Sequence, residues 1–348
     1  VKTYKYLGVY FDKTLKDSHH INNILGLKSK KLKGYITSTL NKHCNIQRIQ
    51  FGNTMYNNMF LPSILHGAGV LLPNTSEMKK NLKSYQYQAG LSILSLKCSP
   101  AYEALVCDMG WRPMEKIFQK RQIDYFCYLK NKNSQTLVSK VLSALLESYS
   151  INKESNWKYV SNIANILVHH GLDNKLNVNS EEWYSSFLNI SNEITTKELF
   201  SSICDRPSLS LYRNVKRHVF QEEYLKNPFN FQGARQKFLA MSGCFKLESD
   251  LKRWNKSDGF CKLCPSNSYD SMSHRLFLCP VLQDKRNLFI NNLISSCDVA
   301  LVGEYLSASL NDKLQWIIGD SLYIGTWGQD QINKFEKCVY EFLKEMYF

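Results

Sequence analysis

Cys261, Cys264, His274 and Cys279 follow the spacing C-x2-C-x9-H-x4-C, and no other feature limits the fold of this chain so tightly. Thiolate sulfur and imidazole nitrogen are donors that close a tetrahedron around zinc, and three Cys with one His is a ligand set of structural sites. Lys262 and Leu263 make the turn between the first two thiols, while Leu276, Phe277 and Leu278 supply the few apolar groups nearby. So small a lobe depends on its metal to fold. A catalytic ion keeps a coordination position open, whereas four protein donors fill every one, so the expectation is structural Zn2+. The alternative is that these cysteines act as small core hydrophobes, but a His and a third Cys in register favour the metal. Cys44, Cys98, Cys107, Cys127, Cys204, Cys244, Cys297 and Cys338 are scattered singly in apolar stretches. That distribution fits core packing in a reducing, intracellular compartment, nucleus or cytoplasm, and not a disulfide framework.

Charge is distributed unevenly. The net charge of +14 comes almost entirely from residues 1–150, which carry 21 Lys and Arg against 8 Asp and Glu, whereas residues 291–348 carry 4 against 8. A basic excess confined to one region points to a polyanion, with a phosphate backbone as first candidate. Lysines that only keep the surface hydrated are the alternative. After Asp17 and Ser18, either able to cap a helix, Ile21, Ile24, Leu25, Leu32, Tyr35, Ile36 and Leu40 recur at helical spacing, and Lys28, Lys30, Lys31 and Lys33 decorate that helix. They do not share one narrow face. Some therefore track phosphates and others face water, with Arg253, Lys262 and Arg275 as further candidate nucleic-acid contacts around the metal lobe.

The rest of the chain reads as mainly helical, as two or three domains. The segment YKYLGVYF (Tyr4 to Phe11) is a strand interrupted at Gly8, with pairing partners expected upstream. Helices are expected over 46–60 (stopped by Pro62), 75–95, 100–109 (ended by Gly110), 113–131, 135–148, 156–170 (including Trp157), 181–204, 208–226, 312–325 and 330–346, with a shorter apolar piece at 231–239. Leu137, Val138, Val141, Leu142, Leu145 and Leu146 form a strict stripe, either core or a seam for a partner helix. His169-His170 falls at a helix end, where the dipole accounts for it better than metal binding does. No apolar run of 18 residues exists, so no membrane span is expected. Several enzyme classes are excluded by motif. The chain has no Asp-Asp pair for two-metal nucleotidyl transfer and no Pro-Asp nuclease signature. Phosphate-binding glycine loops are missing too, and Gly325-Thr326-Trp327-Gly328 is only a turn.

Several stretches, taken in order, resemble the C-terminal part of a non-LTR (LINE-type) retrotransposon reverse transcriptase. Tyr4 to Asp12 is similar to the family's (K/R)YLGV-x-(F/L)D segment. His20-Ile21 sits where W-x-x-HI is found, with Asp17 in the Trp position, and Phe60 to Gly67 is similar to P-x-L-x-Y-G, with His66 replacing the aromatic. Leu91 to Leu94, Ala101 to Leu105 and Met109 to Pro113 follow the order of the thumb and connection signals. Gly243, Leu247, Arg253 and Trp254 then lead into a knuckle like C-x-x-C…H-x-L-x-x-C-P, followed by Arg286. The resemblance implies a primer-grip-like strand remnant of the palm at 1–15 (Tyr6, Leu7, Gly8 and Val9), a basic helical thumb at 16–150 and a helical connector at 151–240. A CCHC zinc knuckle at 241–290 and C-terminal helices at 291–348 complete it. It also implies that Val1 opens a fragment whose catalytic palm precedes it, not an enzyme by itself, holding template RNA, an RNA–DNA hybrid or target DNA. A zinc-stapled helical module for protein–protein interaction is the other reading of the same residues.

Overall fold

A computed structural model describes residues 3–13, 17–43, 47–73, 75–153, 158–216, 219–226, 231–253, 255–319 and 326–346. Cys44, Trp157, Trp254 and Gly325 lie outside the described residues. The protein is mainly helical, with 17 α-helical segments among the described residues and one two-stranded hairpin at the N-terminus. Among the described residues no helix is long and apolar enough to cross a membrane, and none of the described cysteines is in a disulfide.

The hairpin corrects one expectation. Strands β1 (Thr3–Tyr6) and β2 (Val9–Asp12) pair with each other, Tyr6 opposite Val9 and Thr3 opposite Asp12, so the segment supplies its own partner. Leu7 and Gly8 turn the chain with φ of +46° and +87°. Positive φ at both central residues is what the tightest hairpin turn requires, and a leucine there hides the turn from a reading of residue types. A π-helical stretch, His19–Leu25, then runs into α1 (Gly26–His43). Neither expected cap closes this helix: Ser18 makes no side-chain cap bond, and the Asp17 carboxylate accepts the Leu72 N–H at 3.0 Å instead. Helix α2 (Arg48–Met55) also continues where a stop was expected, through a π turn (Tyr56–Phe60) into α3 (Leu61–Ile64) that includes Pro62. The widened turn absorbs the ring that would clash with an ordinary helical carbonyl.

Next come α4 (Ser76–Ile93), α5 (Tyr102–Asp108), α6 (Met114–Lys130), α7 (Leu137–Ile151), α8 (Lys158–His169) and α9 (Tyr184–Cys204). The span 208–226 is not one helix but α10 (Ser210–Val215) and α11 (Glu223–Lys226). Beyond them are α12 (Phe231–Met241), α13 (Glu248–Lys252), α14 (Gln283–Ser296), α15 (Val299–Ser307), α16 (Leu310–Ile318) and α17 (Gln329–Met346). Helices α14 and α15 were not expected. In α14 the apolar residues Leu288, Phe289, Ile290, Leu293 and Ile294 are spread around the axis, and only Phe289 and Leu293 are buried.

The helices pack as two compact units, each assembled from three separated segments. One comprises Val1–Ile36, Thr54–Ala89 and Arg112–Glu198, and the other Thr37–Asn53, Gly90–Trp111 and Leu199–Phe348. The five successive segments read from sequence cut across these units, because residues 112–198 stay in one unit through position 150. Phe126 of α6, Leu142 of α7, Val160 and Ile163 of α8, and Trp183 and Phe187 near the start of α9 share one core there. Only half of the α7 stripe is core. Leu142 is buried, whereas Leu137, Val138 and Val141 are 77%, 50% and 49% exposed.

In the second unit the rings of Phe289 and Phe342 stack at 4.4 Å, Tyr305 meets Phe289 edge-on, and Trp316 and Phe335 pack edge-on against Tyr305 and each other. Buried charges join distant segments of this unit. The Lys237 ammonium on α12 meets Glu336 on α17 at 2.7 Å with both side chains inside. Losing one member of such a pair strands the other charge, whereas replacing both by hydrophobes of similar volume is nearly neutral. Lys237→Met is therefore expected to cost about 3–5 kcal/mol of unfolding free energy, and Lys237→Met with Glu336→Leu to recover most of it. Urea denaturation of the two variants checks this, and equal losses in both would contradict it.

Candidate metal centre and basic groove

The metal lobe is built from two short backbone devices. Phe260 and Tyr269 form an antiparallel bridge, and Cys261 N–H donates to Ser268 O at 2.9 Å while Asp270 N–H donates to Gly259 O at 2.9 Å. This knuckle presents Cys261 and Cys264. A π turn (His274–Leu278) supplies the other side, its geometry closed by Cys279 N–H donating to His274 O at 2.8 Å. Arg286 of α14 fixes the Cys279 carbonyl at 2.6 Å. Beneath the knuckle Arg275 holds buried Asp270 with two hydrogen bonds, at 3.1 and 2.6 Å, and Asp270 also accepts the Glu248 N–H at 2.9 Å.

All four donors converge. One ligand atom from each of Cys261, Cys264, His274 and Cys279 lies within 4.8 Å of every other, and all four residues are buried. The Cys261 and Cys279 sulfurs are 4.0 Å apart, and the Cys264 sulfur is 3.5 Å from His274 Nε2. A tetrahedral zinc ion with ordinary bond lengths sets sulfur–sulfur and sulfur–nitrogen edges of about 3.8 Å and about 3.6 Å. The arrangement is thus a buried Cys3His group consistent with a zinc site. The Ser266 hydroxyl, 2.9 Å from the Cys264 sulfur, lowers that thiol to about 6, and burial raises Cys279 to about 11. Such a cluster favours a cation that takes thiolates.

A second feature brings together residues read separately from sequence. Leu7 and Gly8 of the hairpin turn, Lys28, Lys31 and Leu32 of α1, and Pro62, Ser63 and His66 line an open groove of about 690 Å³. Lys28 and Lys31 share it because residues three apart stand on one helical face. Lys30 is exposed outside the lining, and Lys33 donates to Gln88 at 2.6 Å. His66 Nε2–H donates to Leu7 O at 2.7 Å, and a Cβ on Gly8 would lie 2.8 Å from that nitrogen, so glycine is required where the imidazole grips the turn. Tyr6 is 58% exposed while Val9 packs inward against Gly67.

The lobe's basic residues differ in their engagement. Arg275 is buried and committed to Asp270, which departs from the expected phosphate contact; its partner five residues upstream absorbs the charge. Lys262 is exposed and meets Glu248 at 2.9 Å, and Arg253 meets Asp250 at 2.6 Å. Phe260 and Tyr269 are exposed, Phe277 half-buried. His169 meets Glu198 at 3.4 Å, and buried His170 donates to Ile166 O at 2.6 Å, so the histidine pair terminates its helix. Two thiol pairs escaped sequence reading, Cys98 with Cys244 and Cys297 with Cys338, in hydrogen-bond contact across long separations.

His20 lies fully buried behind the hairpin, where its Nδ1 accepts the Tyr10 N–H at 3.1 Å. Desolvation, then the positive field of Lys28, His66 and His19, lowers it to about 4. With an unfolded value near 6.5, the unfolded chain binds the proton first. This group's stability contribution is complete above about pH 6.5 and lost as pH falls toward 4, amounting to no more than about 3 kcal/mol. Urea midpoints from pH 7.5 to 4.5 should fall more steeply for the wild type than for His20→Leu; parallel curves would contradict it. For the metal group, Cys261→Ser and His274→Ala are each expected to weaken zinc retention by roughly a hundredfold or more, and to expose amides of 255–279 while those of α6–α9 stay protected. Metal analysis with amide exchange tests this, and full zinc content in both variants would contradict it. No known family model, curated protein or solved structure matches the chain, so the geometry of these two sites carries the functional argument.

Proposed function

We propose that this chain holds nucleic acid for chemistry performed elsewhere, as the thumb, connector and zinc-lobe portion of a LINE-type RNA-directed DNA polymerase. The observation that carries the reading is the groove in which the hairpin turn meets Lys28 and Lys31 with no carboxylate among its described lining residues. Two ammonium groups three residues apart suit adjacent phosphates, and phosphate contacts give affinity and register without reading bases. The turn at Leu7 and Gly8, where Leu7 is exposed, is the part of the strand remnant able to meet a primer end. Zinc in the Cys261–Cys264–His274–Cys279 group is structural in this reading, keeping the lobe folded while its exposed Lys262 and Arg253 face the polyanion. The polymerase assignment rests on the ordered resemblance across residues 1–290, and RNA–DNA hybrid, template RNA and target DNA are the partners it names.

One observation favours a different class, a protein-interaction module: Leu137, Val138, Val141 and Ile151 leave an apolar face of α7 in solvent. Salt separates the two readings, because counterion release makes phosphate binding fall linearly in log salt, and an apolar interface lacks that dependence. Affinity for an RNA–DNA hybrid, measured by fluorescence anisotropy over a salt series, is expected to show that slope. Lys28→Gln with Lys31→Gln should make it shallower by about two. A flat salt response, or an unchanged slope in the double variant, would remove the basis for the nucleic-acid reading.

A further inference from the structure

A second cavity, of about 420 Å³, lies between α10 and the metal lobe. Its size falls within the range of about 300–1,000 Å³ common for ligand pockets. Arg213 enters from α10, Arg253 from the end of α13, and Tyr269 from the bridge of the lobe. Five serines, at 208, 210, 249, 271 and 273, are among the remaining lining residues, and the Ser271 hydroxyl accepts the His274 N–H. No lysine lines it.

Two glycines shape the cavity. Gly243, at φ +68°, stands where a Cβ would meet Ser208 O at 2.6 Å and the Arg253 guanidinium at 3.2 Å, so its absence lets those two walls approach. Gly259, at φ +89°, stands where a Cβ would come within 2.9 Å of the Tyr269 ring. The ring is therefore seated by backbone, yet it remains 49% exposed. The Lys252 ammonium sits over that ring, 5.5 Å from its centre, and so covers one face, leaving the other for a base. Asp250 also borders the cavity, but its carboxylate is occupied by Arg253 at 2.6 Å and by the Leu247 N–H at 3.4 Å. Arg213 keeps its charge available, since its hydrogen bond goes to a neutral carbonyl, Cys204 O, at 3.3 Å.

We infer that this cavity receives one unpaired nucleotide of a single strand, with the base against Tyr269 and the phosphate between Arg213 and the serine hydroxyls. Planar guanidinium forks suit phosphate oxygens better than point charges do, and an aromatic face accepts any base that is free of a pairing partner. A paired base cannot enter, because its face is already stacked. The inference deepens the nucleic-acid reading and rests on it, but it concerns a site distinct from the lysine groove.

The test uses the full zinc-loaded chain with three probes: a labelled twelve-residue oligoribonucleotide, an RNA–DNA hybrid, and AMP. Tyr269→Leu and Arg213→Gln, both at exposed positions, should each weaken oligoribonucleotide binding roughly tenfold while leaving zinc content and hybrid affinity at wild-type values. Wild-type oligoribonucleotide affinity in both variants overturns the inference, as does failure of the unaltered chain to bind the oligoribonucleotide. AMP displacing the oligoribonucleotide at equal concentration would assign the cavity to a free nucleotide and overturn the single-strand assignment. The two proposals fail separately. Loss of hybrid binding only in the Lys28 and Lys31 variant, with no effect at Tyr269 or Arg213, removes the pocket and leaves the groove.

Discussion

Convergence of three thiols and one imidazole is what the metal lobe depends on. Among the described residues of 255–279, Met272 and Leu276 are the only buried hydrophobic side chains apart from the cysteines themselves. Two such side chains contribute on the order of 3–6 kcal/mol by burial, well short of the ordering entropy of a segment that long. The lobe's remaining cohesion is polar: the Asp270–Arg275 pair, the bridge at Phe260 and Tyr269, and the donor cluster. Each of these positions the next. Asp270 leads from the bridge into the π turn that carries His274, and Arg286 ties the last cysteine's carbonyl to α14. A cation at the centre would replace the mutual crowding of four buried donors with four bonds, and its binding would then be coupled to folding of the lobe.

The larger part of the second unit uses a different kind of polar constraint. Arg48 is buried with its guanidinium on Ile93 O, Ser92 O and Asn41, all at 2.9 Å, and so satisfies carbonyls at the end of α4 from a segment far off in sequence. Asp108, fully buried, accepts from Tyr212 at 2.6 Å and from Tyr224, while Lys216 reaches both Asp108 and Glu222. These contacts run between chain segments that alternate with pieces of the other unit. Buried charges are weak sources of net stability but poor tolerators of misregistration, since a slipped segment leaves one of them unpaired. They account for how a unit assembled from three separated stretches keeps one register.

The zinc-type quartet was legible because its information is spacing, and spacing survives without knowing the fold. The hairpin was half legible: β-prone residues and Gly8 announced extended chain, but Leu7 in a left-handed conformation carries no turn signal, so the self-pairing was hidden. Helix ends at Pro62 and at Asp17 were misread where tertiary partners intervened, a π turn in one case and the Leu72 N–H in the other. Helical spacing shows that the four lysines on α1 do not share one face, but only the geometry says which of them meet: Lys28 and Lys31 line the groove, and Lys33 is held by Gln88. Arg275 looked like a phosphate contact because sequence shows its charge and not the carboxylate that neutralises it. The division into two units was illegible for the same reason, since it depends on contacts between stretches that no local pattern connects.

The two candidate nucleic-acid sites differ in what their chemistry can distinguish. Lysine ammonium groups in an open groove are compact, hydrated charges on flexible stems, and they respond to the spacing of phosphates more than to anything the phosphates carry. The cavity beside the metal lobe presents guanidinium groups, hydroxyls and one aromatic face, a set that responds to whether a base is free to stack. The first chemistry suits a duplex held without regard to sequence, and the second suits a strand that has left its duplex. Under the proposed function, a chain that holds template and product while one strand separates from the other would use both kinds of contact. A metal at the quartet would then act beyond local stability, because Tyr269 sits on the bridge preceding the π turn that carries His274. Holding the four donors together also holds the aromatic face at the cavity wall.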